Sequence, residues 1–555
     1  MSTATPVPQT ADTLQGVAEQ ETSRLLTGSR PWTWWLEQAA RHGRHGFCNT
    51  VLIAAQRPAA TDVRSPEEWR AAGRRVKSGE RGIRILAPDG RRRAVYDISQ
   101  TSGPPPRPQQ ASPQAAVARL RIAADSLGLQ VDHDAPVGPD TLTALALRLG
   151  HRLLPAHTTS VAYLVLAHLG VPVPPLVYPR VRAWAADAAA VAAAGERILR
   201  AARVVTGRLD LVEAARECLA AAHAFFRARA PGSWVPAHLA ERGLGPDALE
   251  RWQIGYAPAS WRALTGHLLS SGHRPEAIVA AGLARRGRNG ALYDLFRDRA
   301  MFALRDGDGA IAGFIGRLRE GAAGPKYLNS PESPLFRKGR LLYGLQEARG
   351  RLEAGARPVL VEGPFDALAV NTASPAHAAV ATCGSAVTQA QVRALLKVWP
   401  RVSGPPAAGG LRQGADGPGV LVMPDGDAAG RAAALRAWEV LAKVGAPVDA
   451  VLLAEGGDPA DVLRRRGPAA LRGALASAHP LADLAVDAAV ARAGGALHSP
   501  EDRVAALRAA AAVIAGMAPG HVARQVGRVA ARLDLDHATV TSALVEAVTG
   551  ATEAG

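Results

Sequence analysis

Between residues 254 and 475, short apolar runs alternate with longer segments whose apolar residues recur at helical spacing. That is the pattern of strands interleaved with helices in an α/β or α+β core. Three of the short runs, at 359–361, 420–423 and 448–453, read as strands. From 183 to 229 alanine dominates and arginine recurs at helical spacing, which predicts helix. From about 480 onward the chain reads as successive amphipathic helices, broken at HSPED (498–502). TSGPPPRPQQASP (101–113) predicts a stiff, exposed linker. SGPPAAGGLRQGADGPG (403–419) has the same character but lies between two strand-like runs. It predicts a surface loop inside a domain, since closure entropy grows only slowly with loop length. No segment reads as a repeat of another.

A chain of 555 residues is too long for one core and suggests roughly three to four domains. Although 48% of the residues are hydrophobic, no run approaches the roughly 18 apolar residues of a bilayer span. The first fifteen residues (MSTATPVPQTADTLQ) have neither a basic start nor an apolar stretch and do not read as a signal peptide. Cysteines at 48, 218 and 383 are too few and too dispersed for a disulfide framework or a four-ligand zinc ribbon. The expectation is a cytoplasmic protein with no membrane partner. Its 65 basic residues exceed its 49 acidic ones, for a net charge of +16, which favours a polyanionic partner such as nucleic acid. Only five of the basic residues are lysine, a bias that a GC-rich genome also produces, so the distribution of charge has to decide.

The most informative segment is PVLVEGPFDALAV. Its strand ends at Glu362 and Gly363, and Asp366 opens the next helix. GVLVMPDGDAAGRAAA repeats the logic, with Asp425 and Asp427 at the strand end and Gly430 letting the helix start tightly. EGGDPADVL places Asp458 and Asp461 at a third strand end. Ligands of open α/β sheets bind at such ends, and crowded carboxylates there are stable only if protonated or separated by cations. Oxygen ligands without His or Cys suit Mg²⁺ or Mn²⁺, ions that hold phosphates during in-line displacement. Helix-capping aspartates in three unrelated turns are the plainer reading, but three acidic turns in order after strands count against it.

These residues resemble a Toprim domain, the metal-binding module of bacterial-type primases, topoisomerases and some nucleases. The resemblance implies that Glu362 acts in proton transfer or metal binding and that Asp366 belongs to the catalytic set. It makes Asp425 and Asp427 paired metal ligands and Asp458 the acid of the last motif. One departure stands out: primases usually carry a second acid two positions after that aspartate, where this chain has Ala460, with Asp461 beside it.

Residues 297–340 hold nine basic residues against five acidic ones, interleaved with aromatics, as a groove for single strands and nucleotides requires. The wording FRDR, GDGAIAGFIGR, PKYLNSPES, LFRKG and LYGL, with LAERGLGPDALERWQIGYAPASW upstream, resembles the RNA polymerase core of DnaG-type primases. The likeness runs in order from about 218 to 540. By that resemblance Lys326, Tyr327, Asn329 and Lys338 line the nucleotide or template groove, and Arg297, Arg299 and Arg317 contact phosphate. It implies single-stranded DNA as template and nucleoside triphosphates as substrates. The family's helicase-docking domain is expected to be missing, because only about ten residues remain after the closing helical bundle; a replicative helicase as partner is therefore left open.

The amino-terminal FCNTVLIAAQRPAATDVRSPEEWRAAGRRVKSGERGIRILAP resembles the single-stranded-DNA-binding domain of ArdC-type antirestriction proteins. It carries ten basic and four acidic residues over 64–93. The resemblance places Asn49, Gln56, Trp69, Arg74, Arg75 and Lys77 near DNA, although Trp69, Trp32, Trp34 and Trp35 equally suit a core. A zinc-peptidase-like domain with an HExxH helix follows in that family. Here TLTALALRLGHRLL has Leu147 and Arg148 where the first His and the Glu would stand, and only His151 survives. No zinc is expected, and His157 and His168 read as ordinary histidines.

The expected fold is multidomain, α+β and α/β. An ArdC-like α+β domain (15–102) precedes a decayed zinc-peptidase-like helical domain (114–205). A basic α+β primase subdomain (218–350), a Toprim α/β domain (357–478) and a small helical bundle (480–548) follow. The expected activity is primer synthesis for a plasmid, phage or other mobile replicon. The alternatives are a single-strand-binding or antirestriction protein with an inactive core, and a Toprim nuclease, which PKYLNSP disfavours.

Overall fold

The computed structural model describes residues 11–104, 112–133, 135, 137–384, 386–399, 419–442, 447–494, 497, 499–517 and 519–553. Most of the expected linker, at 105–111, and the expected loop at 403–418 lie outside the described residues. The chain forms two compact units, Met1–Glu213 and Ala214–Gly555. Among the described residues no helix is long and apolar enough to cross a membrane.

The first unit opens with three helices, α1 (Ala11–Thr27), α2 (Trp32–His42) and α3 (Phe47–Gln56). A small antiparallel sheet follows, built of β1 (Val63–Arg64), β3 (Ile83–Leu86) and β4 (Arg92–Asp97) in the order β1-β4-β3. Between them α4 (Pro66–Ala71) starts with a capping box, Ser65 and Glu68 satisfying each other's backbone N–H groups. The short strand β2 (Arg75–Val76) pairs with β5 (Thr101–Ser102). Helices α5 (Pro113–Ser126), α6 (Pro139–Leu153), α7 (Thr158–His168) and the first half of α8 (Ala188–Arg229) complete the unit.

The sequence suggested separate domains at 15–102 and 114–205, and the structure corrects that. Trp32, Trp35 and Phe47 pack with Leu120, Leu149, Val165 and Ile198 in one apolar core shared by the two segments, while Ile53, Val63, Ile83, Ile85 and Val95 form a smaller cluster within the first. His157 lies edge-on to Trp184 in this core, and His168 pairs with Asp210 at 2.9 Å.

Four residues expected near DNA are committed internally. Trp69 is 1% exposed and its indole N–H donates to Tyr96 O at 2.8 Å, so its ring offers no stacking face. The buried Arg74 guanidinium donates to Thr101 Oγ1 at 2.8 Å and to Gly103 O at 2.9 Å. Asn49 makes a two-way clamp on Leu86, donating to its carbonyl at 2.8 Å and accepting from its N–H at 2.9 Å. Gln56 repeats the clamp on Arg84, at 2.7 and 2.9 Å. Two amide side chains at helical spacing thus occupy the free edge of β3, which otherwise presents unpaired backbone groups. Arg75 and Lys77 remain exposed.

The second unit begins with the last turns of α8, then α9 (Val235–Glu241), α10 (Ala248–Arg251) and β6 (Gly255–Ala257). A small lobe follows: α11 (Ala263–Ser270), α12 (Pro275–Ala280) and the hairpin of β7 (Ala284–Arg286) and β8 (Leu292–Asp294). Long strands β9 (Arg299–Arg305) and β10 (Ile311–Leu318), with β11 (Tyr327–Asn329), form an antiparallel sheet ordered β11-β10-β9-β6.

After α13 (Leu345–Glu353) comes the parallel core: β12 (Arg357–Val361), α14 (Pro364–Ala373), β13 (His377–Ala381), α15 (Gln389–Val398), β14 (Val420–Val422), α16 (Ala428–Leu441), β15 (Val448–Ala450) and α17 (Pro459–Ala476). The antiparallel edge strand β16 (His479–Pro480) closes a sheet ordered β13-β12-β14-β15-β16. Its strands are near-continuous apolar runs because helices cover both faces. Helices α18 (Leu481–Gly494), α19 (Pro500–Ala515), α20 (Pro519–Leu533) and α21 (His537–Glu553) end the chain around their own core, with Arg524, Arg528 and Arg532 of α20 laddered onto Asp483 and Asp487 of α18.

A single apolar core spans the boundary expected between 350 and 357. Phe302, Ile315 and Phe336 from the antiparallel sheet share one core with Val359, Val361 and Phe365 from the parallel one. Tyr343 adds a backbone bridge to Ala381, with N–O distances of 2.9 and 3.0 Å in the two directions.

Replacing Trp69 by Ala is expected to destabilise the first unit by about 3–5 kcal/mol. Asn49→Ala, which strips two hydrogen bonds from the edge of β3, costs about 1–3 kcal/mol. Thermal unfolding measures both; unchanged midpoints would restore these residues to the DNA-facing set.

Candidate active site

Register within the parallel sheet decides which acidic turns meet. β12 lies against β14, Val359 opposite Leu421, and β15 flanks β14 on the other side. The turns after all three strands therefore fall side by side at one sheet edge, each opening a helix whose N-terminus points the same way. Glu362 and Asp366 come from the first, Asp425 and Asp427 from the second, Asp458 from the third. The second and third turns are zipped together, Gly426 donating to Gly457 O at 2.8 Å and accepting from Gly456 N at 3.1 Å. A Cβ on Gly426 would lie 2.2 Å from Ala454 O, so only glycine allows that approach.

A cavity of about 260 Å³ opens at this edge. Glu362, Asp366, Asp425 and Asp458 line it together with Arg242, Lys326, Tyr327 and Asn329. Burial, with Glu362 and then Asp458 beside it, pushes the Asp425 carboxyl up to about 7. Asp366 is raised well above the usual carboxylate range, first by burial and then by Asp458 and Asp425. Two buried acceptors in the lining, Asp425 Oδ1 and Asn329 Oδ1, have no hydrogen-bond partner. Orphaned oxygens in an all-oxygen donor set, among carboxylates that repel, fit a hard divalent cation.

The expected ligands are not equally disposed. Asp427 is exposed and lies outside the cavity lining, with one oxygen spent on capping α16 through Gly430 N at 2.7 Å. Asp458 caps α17 through Asp461 N at 2.5 Å. Asp366 accepts from Gly363 N at 3.0 Å and from Ala460 N at 3.4 Å, which ties the first turn to the third. Among the described residues, no three His, Cys, Asp or Glu side chains close on a single ion. Asp461 does not replace the acid absent at Ala460: its carboxylate pairs with Arg464 at 2.9 Å and Arg465 at 3.4 Å.

The basic residues divide similarly. Lys326, Tyr327 and Asn329 reach the cavity, and Lys338 Nζ donates to Gly384 O at 2.8 Å on the loop after β13. Arg299 is corrected from a phosphate ligand to a structural residue. It is 5% exposed, and Nη1 donates to Gly316 O at 2.9 Å and Pro325 O at 3.0 Å. Arg317 is equally buried, donates to Leu318 O and stands over the Tyr327 ring at 5.6 Å. Arg297 stacks on the exposed Trp261 at 3.9 Å, away from the cavity lining.

Sequence reasoning missed Arg242, which ends α9 and lies over Phe365 at 4.7 Å with its Nε donating to the buried His238. It also missed Cys383, which has a left-handed backbone (φ 62) at the cavity wall. Arg242 stands in the quoted LAERGLG with no local signal, because it is the fold that carries it 120 residues along the chain to Glu362.

Residues 227–349 match the family of the DNA primase catalytic core, N-terminal domain, and residues 359–463 match the Toprim-like family. The DNA primase of Streptomyces coelicolor is 35% identical over 280 residues, which is 50% of this chain and 41% of that protein. That of Halalkalibacterium halodurans is 37% identical over 234 residues, 41% of this chain and 35% of that protein. The solved structure of a DnaG primase catalytic domain bound to single-stranded DNA is 27% identical with a TM-score of 0.50, covering 60% of this chain and 99% of that one. The chain thus spans about two fifths of the length of these curated relatives.

The raised carboxyls set a pH dependence. Folded Asp425 keeps its proton up to about 7, against an ordinary 3.8, so the folded state binds more protons between those values. Stability then falls as pH rises through that window. In EDTA the melting temperature is expected to be lower at pH 8 than at pH 5.5. Asp425→Asn should narrow the gap, and Mg²⁺ at pH 8 should raise the wild-type value; a flat wild-type profile contradicts the carboxylate crowding.

Proposed function

From a mixed α/β primase catalytic core of the DnaG type, with a Toprim fold in residues 359–463, we propose that this chain is a DNA primase. It joins ribonucleotides into short primers on single-stranded DNA by metal-dependent nucleotidyl transfer, in the service of a plasmid, phage or other mobile replicon. The observation that carries this reading is that one cavity is lined both by the carboxylates of three strand-end turns and by the cations Lys326 and Arg242.

In this reading Glu362, Asp425 and Asp458 hold Mg²⁺ or Mn²⁺, with Asp427 contributing its charge from the rim. Such an ion, when bound, neutralises the triphosphate and the charge that develops at the α-phosphorus. Lys326 and Arg242 hold the triphosphate, Asn329 presents its amide to the nucleotide, and Lys338 and Arg297 lie along the template. Asp366, its carboxyl raised by burial and then by Asp458 and Asp425, tethers the first and third turns rather than taking a metal. The first unit adds single-strand affinity through exposed cations, Arg75 and Lys77 among them. Ala460 favours a second reading, a DNA-binding protein with a silent core.

Primer synthesis from labelled ribonucleotides on single-stranded DNA, with Mg²⁺ or Mn²⁺, separates the two readings. Short metal-dependent products are expected, and Asp425→Asn should abolish them while strand binding persists. Asp427→Asn keeps the α16 cap, since Asn caps as well as Asp, and so tests the charge alone; a clear loss of product is expected. Arg242→Ala should raise the KM for nucleoside triphosphates about tenfold, the scale of a lost charge-assisted hydrogen bond. Absent product under either metal, with tight salt-sensitive strand binding, would establish the silent core. Degradation of the strand without triphosphates would point to a nuclease.

A further inference from the structure

A cleft in the first unit gathers arginines without any acid. Its volume is about 640 Å³, within the range of small-ligand sites, and it is lined by Arg30, Arg180, Arg182, Tyr178 and the first turn of α2 at Trp32 and Thr33. Arg30 is partly spoken for: its Nε pairs with Glu21 at 2.7 Å and its guanidinium lies over Trp34 at 4.4 Å. Arg180 and Arg182 are exposed, and among the described residues neither side chain makes an ion pair or hydrogen bond.

They project from the segment VPVPPLVYPR (171–180) and the residues just after it. Its four prolines stiffen a backbone that is neither helix nor strand over 171–180, and Arg182 follows in a short 3-10 turn (Val181–Ala183). No side chain caps the first turn of α2, so its N–H groups add to the positive end of that helix. Arg180 and Arg182 carry like charge with no carboxylate paired to either among the described residues, and an anionic ligand offsets that charge.

We propose that this cleft is a nucleotide-binding site separate from the catalytic cavity, Arg180 and Arg182 holding phosphates and the Tyr178 ring meeting a base. Its occupant is single-stranded nucleic acid; a free nucleoside triphosphate shares the same chemistry. The inference stands whether or not the second unit synthesises primers. It also accounts for how the first unit can meet a strand although Asn49, Gln56, Trp69 and Arg74 are committed internally.

The test uses the full chain. Fluorescence anisotropy with a labelled oligothymidylate, across a salt series, compares wild type with the double variant Arg180→Glu/Arg182→Glu; a fluorescent ATP analogue forms the second arm. Affinity for the oligonucleotide is expected to fall at least tenfold. The slope of log affinity against log salt should become shallower by about 1.4, two contacts at about 0.7 each. Arg180→Lys/Arg182→Lys should restore both, and Tyr178→Ala should weaken binding with the slope unchanged. Loss confined to the ATP analogue would assign the cleft to free nucleotides, and no loss in either arm overturns the proposal. Photo-cross-linking of the wild type with a 4-thiothymidine oligonucleotide gives an answer free of folding effects. Adducts at 178–182 or at the α1–α2 junction support the site, and adducts confined to 214–555 refute it.

Discussion

Repulsion among crowded, partly buried carboxylates is the constraint around which the second unit's cavity is organised. Glu362, Asp366, Asp425 and Asp458 are held close together, and burial first, then their mutual charges, raise the carboxyls of Asp366 and Asp425 above ordinary values. A free chain would relax that crowding by moving apart. Here it cannot, because each acid stands at the end of a parallel strand whose register with its neighbours is locked by the sheet and by a core buried on both faces. Stability stored in packing is spent on a strained electrostatic arrangement, and a cation is what releases the strain.

The same core explains why two sheets act as one site. Apolar residues of the antiparallel sheet interlock with those of the parallel one, and the Tyr343–Ala381 bridge joins them through backbone. Lys326, Tyr327 and Asn329 are thereby carried into the same cavity lining as the acids. Close packing needs glycine at the turns: Gly426 lies against the third turn, and a Cβ on Gly430 would lie 2.1 Å from Asp425 O.

Charge in this chain has two fates that look alike in sequence. Arg299 and Arg317 are consumed in satisfying backbone carbonyls inside the sheet, and Arg74 does the same in the first unit. Lys326 and Arg242 keep free donors at a cavity. Nothing in the local wording separates these groups, because burial follows from strand register and helix placement. Asn49 and Gln56 carry the same lesson: their spacing on α3 matches alternate residues of β3, a correspondence visible only once the strand lies beside the helix.

The strand-then-acid turns at 359–366, 420–427 and 448–458 were legible from sequence, as were the terminal helices, because each depends on short-range periodicity and on the turn chemistry of Gly and Asp. Their wording also carried the resemblance that located the catalytic core. Tertiary structure alone decided which acids reach the cavity, that Asp461 turns to Arg464 instead of replacing the missing acid at 460, and that Arg242 arrives from a distant helix. It alone decided that segments expected as separate domains share cores. Periodicity along a chain says which face of an element is apolar. What that face is buried against, and which polar groups are sealed in with it, is settled by contacts between residues far apart in sequence.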